Sequence, residues 1–241
     1  MTTAVPATAT TRDPTTRVPM SSTRKTALAA GILYLLTFIS IPTLFLYNAV
    51  KSPNFILGAG PDSPMLVGGI SEMIVALAGI ATAVVLFPVL KKQNESAALG
   101  LVASRILESG TIFVGVAFIL SIVTLRQTGA GAGALVSSHV LATLYDRIFL
   151  LGQSFMPAIC DLLLGFLLYQ SRLVPRGLAL IGIVGAPILL ASYLAVLFGL
   201  LGQHASLAGL SAIPVALFEF SLGVYLVVKG FKPSPILSSE R

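Results

Sequence analysis

What this chain lacks narrows its class before any motif is sought. It holds only one cysteine, Cys160, so no disulfide can form within it, and that cysteine sits in an apolar run where a buried structural thiol is the expected role. Tryptophan is absent, histidine occurs twice, and charged residues make up only 10% of the sequence. Two histidines, His139 and His204, both between apolar runs, exclude paired haem ligation across helices. No His-Glu-x-x-His, Gly-x-Ser-x-Gly or phosphate-loop pattern occurs, so no cofactor or metal is indicated, and the reading leans away from an enzyme. Basic and aromatic residues are not interleaved in the way that base stacking requires, which argues against nucleic acid despite a net charge of +6.

What is present instead is hydrophobicity. Fifty-six per cent of residues are apolar, and the mean hydropathy is +0.95. Several runs exceed the roughly 18 residues that cross a bilayer as a helix. They do not alternate as the strands of a spanning barrel would. The expected fold is therefore all-α, a bundle of six transmembrane helices in contact with the lipid bilayer.

Six spans are read in order, at about 27–47, 65–90, 97–122, 148–169, 178–201 and 211–228. Residues 1–25, rich in Thr, Ala, Pro and Ser, are expected to be a disordered basic tail. Residues 26–230 form the transmembrane domain, and 231–241 a short C-terminal tail. The first run is too long for a signal-peptide core and is read as a retained helix. Pro64 is placed to start the second span, and Lys91 to Glu95 form a polar turn. Leu135, Val136, Val140 and Leu144 fall at helical spacing, suggesting a separate short helix lying in the interface.

An even number of spans puts both termini on one side. The amino tail carries four Lys or Arg, the turn at 91–92 two, the turn at 172–176 two and the carboxyl tail three. The opposite loops hold Lys51, Arg126 and Arg147. Eleven against three places both termini in the cytoplasm.

Three stretches resemble the bacterial domain of unknown function 4386 family. Ala30-Gly31-Ile32-Leu33-Tyr34-Leu35-Leu36-Thr37 opens the first span as that family does. Ser104-Arg105-Ile106-Leu107-Glu108 is similar to its Arg-x-x-Glu pattern in the third. Leu164 through Tyr169-Gln170-Ser171-Arg172-Leu173-Val174-Pro175-Arg176 resembles its span end and Ser-Arg-x-x-Pro-Arg turn. The likeness runs from Lys25 to Lys232 and departs where a tryptophan often follows the Pro-Arg pair. It implies a multi-span fold in a bacterial cell membrane and no activity.

Five ionisable residues lie well inside spans: Glu72, Arg105, Glu108, Asp161 and Glu219. On an insertion scale each such charge costs roughly 2.5–3.5 kcal/mol at the bilayer centre. At about 1.5 Å of rise per residue, Arg105, Asp161, Glu219 and Glu108 lie about 12–17 Å from the cytoplasmic ends. They are expected to form one intramembrane polar layer of binding or coupling residues. Glu72, about 27 Å in, is a secondary candidate outside it. One guanidinium serves two carboxylates readily and three poorly. One acid of the layer is thus expected to be neutral, and Glu108 is singled out. Glu72, Ala76, Gly79 and Ala83 share one helical face, as do Ser154, Pro157, Asp161 and Gly165, so small residues accompany the charges.

Two functions fit this pattern. One is a small transporter or proton-coupled channel with a small-molecule or ion ligand. The other is a non-catalytic sensor or assembly subunit in which the layer is a structural lock. The oligomeric state is not legible.

Overall fold

The computed structural model describes residues 20–52, 55–58 and 60–238. Most of the expected tail, residues 1–19, lies outside them. Six helical segments are long and apolar enough to cross a membrane: α1 (Ser22–Leu46), α2 (Ser63–Leu90), α3 (Glu95–Gln127), α4 (Gly131–Ser171), α5 (Arg176–Leu197) and α6 (Ser206–Val228). No strand occurs among the described residues. The all-α, six-span reading therefore holds.

Local chemistry sets the helix ends. The Ser21 hydroxyl accepts from the Arg24 amide at 3.3 Å and the Asn94 side chain from Ala97 at 2.9 Å, capping α1 and α3. Pro64 stands in the first turn of α2, where its missing N–H costs nothing. Arg172 closes α4 in the left-handed region, with φ 56°. At the other end of the chain, Arg24 reaches across to the carbonyls of Leu226 and Val227. It places a cation on the negative end of α6.

The fourth span differs from the sequence reading. The stretch 135–145 is not a separate interfacial helix; it continues through Leu150 and a π turn at Leu151–Phe155 into Met156–Ser171. Two causes combine. Pro157 has no N–H to give to the Gln153 carbonyl, so the helix widens over that turn rather than ending. The apolar face that looked interfacial, Val136, Val140 and Leu144, does stay exposed, while the opposite face of Ser138, Ala142 and Tyr145 is buried against the outer half of α3, which extends to Gln127.

Each span packs on its neighbours in sequence, and α6 closes the ring against α1. The α1–α6 crossing is tight because both helices present glycine there. A Cβ on Gly31 would lie 2.7 Å from the Gly223 carbonyl. Outward faces carry exposed Leu77, Leu107, Phe166 and Val184, a surface suited to acyl chains and not to water. The interior is unequal along the bundle axis. In the half nearer the termini, Tyr34, Leu86, Leu101, Leu164, Leu167 and Phe218 belong to one continuous buried core. The C-terminal segment folds back on that end, its Ser234 hydroxyl donating to the Ser171 carbonyl.

Candidate functional site

Arg105 projects from the middle of α3 and is 3% exposed. Its Nη1 donates to both oxygens of Glu108, one turn on, at 3.1 and 3.0 Å. Its Nη2 donates to Oε1 of Glu219 on α6, across the bundle, at 2.5 Å. Asp161 on α4 lies next to it, with Oδ1 3.8 Å from Nη2. The ring of Tyr34 on α1 flanks the guanidinium, its centroid 5.7 Å away. One cation thus ties four of the six helices together.

The four residues of the expected layer are brought together, and the imbalance falls on a different acid. Glu108 is well held, since the thiol of Cys160 also donates to it at 3.4 Å. Asp161 is wholly buried, yet neither of its oxygens has a hydrogen-bond partner among the described residues. The two Nη atoms bond Glu108 and Glu219, Nε of Arg105 is also without a hydrogen bond among the described residues, and Asp161 stays 3.8 Å from Nη2, beyond bonding distance. Cys160 is buried as its setting indicated, but its bond to Glu108 was not legible; the helical offset of neighbouring residues hides which of them faces a partner.

Glu72 occupies a separate place. It is 1% exposed on α2, and its partners come from other segments. Tyr145 of α4 donates to it at 2.8 Å, Tyr47 after α1 at 3.4 Å, and Thr43 approaches at 3.5 Å. Two glycines admit the rings. A Cβ on Gly68 would meet the Tyr47 ring at 2.5 Å, and one on Gly115 would meet Tyr145 at 3.4 Å. Sequence reasoning passed over both tyrosines. The signal available was the lone buried acid itself, which needs donors, and two tyrosines at span borders that could supply them.

Behind these hydroxyls opens a cavity of about 790 Å³, lined by Tyr47, Tyr145, Gln153, Ser192, Tyr193 and residues of the loops at 48–51 and 203–205. Those loops lie at the bundle end opposite the termini. The cavity is within the size range of sites for small molecules. Its rim carries Asp146, which binds Lys51 at 2.6 Å and stands 3.8 Å from exposed His204. His139 is solvent-exposed. Lys51 and Arg126, two of the three cations expected on that face, are thus both ion-paired, Arg126 to Asp62 at 3.1 Å.

Between the cavity and the Arg105 cluster, Gln153 and Thr111 line the small gap against Glu72. Ser109 donates to the Ala76 carbonyl at 2.7 Å. Among the described residues no group of His, Cys, Asp and Glu is placed to hold a metal ion. Compared with known proteins, residues 29–230 match the family model described as a domain of unknown function, DUF4386. Neither a curated protein nor a solved structure matches the chain.

Proposed function

From the premise that the chain belongs to the domain of unknown function 4386 family, we propose that it is a small-solute transporter of the bacterial cell membrane, coupled to proton movement through Arg105, Glu108, Asp161 and Glu219. Both termini are cytoplasmic in this reading, so the cavity faces outward. The observation that carries it is the carboxyl of Asp161, which has no hydrogen bond and stands 3.8 Å from a guanidinium that already binds two acids. A third ionised carboxylate there would be an uncompensated buried charge costing several kcal/mol. The layer therefore holds a proton, and any motion that shifts Arg105 from Glu219 to Asp161 passes that proton from Asp161 to Glu219, moving it from one side of the cluster to the other.

The unequal interior supports the same reading. One core fills the half nearer the termini, while in the other half a second core that includes Tyr47, Met65, Ile119 and Tyr145 leaves the cavity open beside it. Such asymmetry suits a carrier resting with its site open to one face. A second reading, the layer as a structural lock in a sensor or assembly subunit, rests on Arg105 joining four helices.

The two separate experimentally. Arg105→Gln, Asp161→Asn and Glu219→Gln chains would be compared for folded yield and for proton flux in vesicles holding a pH dye. Normal yield of Asp161→Asn with lost flux supports coupling. Loss of yield in every variant, with no flux in the parent chain, supports the lock.

A further inference from the structure

At the bundle end opposite the termini, α1 and α6 separate, and we propose that the chamber between them takes the headgroup of a zwitterionic phospholipid whose acyl chains stay in the bilayer. The proposal goes beyond transport and does not rest on it, since the site would hold lipid whether or not the chain carries a solute.

Nearer the termini the two helices touch. A Cβ on Gly31 would lie against the Gly223 carbonyl, and the Phe38 and Phe220 rings meet edge to face with centroids 5.4 Å apart. Beyond Phe38 they diverge. Thr43–Leu46, at the end of α1, packs on α2, and Ser206–Ser211, at the start of α6, packs on α5. Leu44 and Phe45 on one side, and Gly209 and Ala212 on the other, line the cavity and are also exposed, Phe45 by 73%. Residues that both line a cavity and face outward stand at its mouth. The cavity therefore opens sideways, through a slit between two spans. At about 1.5 Å of rise per residue Phe38 lies about 24 Å along α1, so the slit begins near the level where a hydrocarbon layer about 30 Å thick gives way to headgroups.

The lips of the slit are apolar, and the wall behind them is not. Asp146 offers a carboxylate. Lys51 keeps two N–H donors after its bond to Asp146, and Gln203 keeps one after its bond to the Asp146 carbonyl. Asn48, Gln153 and His204 add groups that can donate or accept. The fixed charges of Lys51 and Asp146 cancel. A wall of both polarities and no net charge matches a headgroup of the same kind, with an anion for the lysine and amides and a cation for the aspartate on one molecule. Phosphoethanolamine has both. Bringing acyl chains against such a wall is unfavourable, and the slit lets them remain in the bilayer while the headgroup is inside.

The chain has no tryptophan, so single reporters can be introduced. Phe45→Trp stands at the slit, and Val184→Trp on an outward face elsewhere. Phosphatidylethanolamine and phosphatidylglycerol with identical dibrominated acyl chains would be added separately, at rising mole fraction, to the full chain in neutral detergent micelles, and tryptophan quenching followed. Val184→Trp reports random partition. The ethanolamine lipid is expected to half-quench Phe45→Trp at a mole fraction about fivefold or more below that for Val184→Trp, and the glycerol lipid to show a weaker preference. A Cβ on Gly209 meets nothing within 4 Å, so Gly209→Phe narrows the slit without a clash at the backbone and should abolish the preference. Asp146→Asn leaves Lys51 unbalanced and should turn the preference toward the glycerol lipid, whereas Lys51→Gln should weaken both lipids. If one of these charge variants does not fold, the other still reads the headgroup. Equal quenching of the two reporters, an equal or stronger preference for the glycerol lipid in the parent chain, or an intact preference in Gly209→Phe would each overturn the proposal. Release of the lipid by an equal concentration of glycerophosphoethanolamine, which has no acyl chains, would overturn entry from the bilayer.

Discussion

Replacing Arg105 with glutamine removes the single cation of a cluster that holds three acids. The magnitude follows from the geometry. At an effective dielectric of 20, a unit charge pair at 3.0 Å attracts by about 332/(20 × 3.0), or about 5.5 kcal/mol. The Glu219 pair at 2.5 Å contributes a similar attraction, and the desolvation of four groups offsets much of both. In the variant the acids stay buried and must take up protons or repel one another, which places the net loss at about 3–5 kcal/mol. That is a factor of about 100 to a few thousand in the ratio of folded to unfolded chain. Reversible unfolding in mixed micelles, followed by far-ultraviolet circular dichroism, would measure it. Arg105→Lys should fall between, since an ammonium is a point charge that cannot hold Glu108 and Glu219 as a fork does. Combining Arg105→Met with Glu108→Gln and Glu219→Gln should recover most of the loss, because a buried ion cluster exchanged whole for neutral groups is often tolerated. A shift below about 0.5 kcal/mol for Arg105→Gln, the range of ordinary surface changes, would refute the account of a buried cation bridging α3 and α6.

Other consequences are equally direct. Tyr145→Phe strips Glu72 of its one short hydrogen bond and should cost about 1–3 kcal/mol in the same unfolding assay. Gly31→Ala sets a methyl against the α6 backbone and should destabilise by about 1–3 kcal/mol, whereas Gly110→Ala, which meets nothing within 4 Å, should leave stability unchanged or slightly raised. Cys160, wholly buried and bonded to Glu108, should resist a thiol reagent in the folded chain and react fully once denatured; rapid labelling in the folded state would contradict its placement. Reporter fusions at the two ends should give the same cytoplasmic signal, and a mixed result would overturn the orientation drawn from Lys and Arg counts.

The identity of the spans was legible because bilayer thickness imposes a length that no other apolar segment needs, and the runs around Met65–Leu90 and Ala97–Ile122 satisfy it alone. Arg105, Glu108, Asp161 and Glu219 were legible as a group because rise per residue converts position in a span into depth. Residues at one depth in a narrow bundle have few places to go but toward each other. Depth carries no information about rotation around the bundle axis, so the choice among the acids was not available from the chain. Only the packing of α4 and α6 around α3 gives both nitrogens of the fork to Glu108 and Glu219 and strands Asp161 beside them. The joining of 135–145 to the fourth span was hidden for a related reason, since its apolar face does stay outward and what packs on α3 is the opposite face of Ser138, Ala142 and Tyr145. The cavity and its tyrosines belong wholly to the tertiary structure. Tyr47, Glu72 and Tyr145 come from three separate segments, and hydrogen-bond direction exists only once those segments have met.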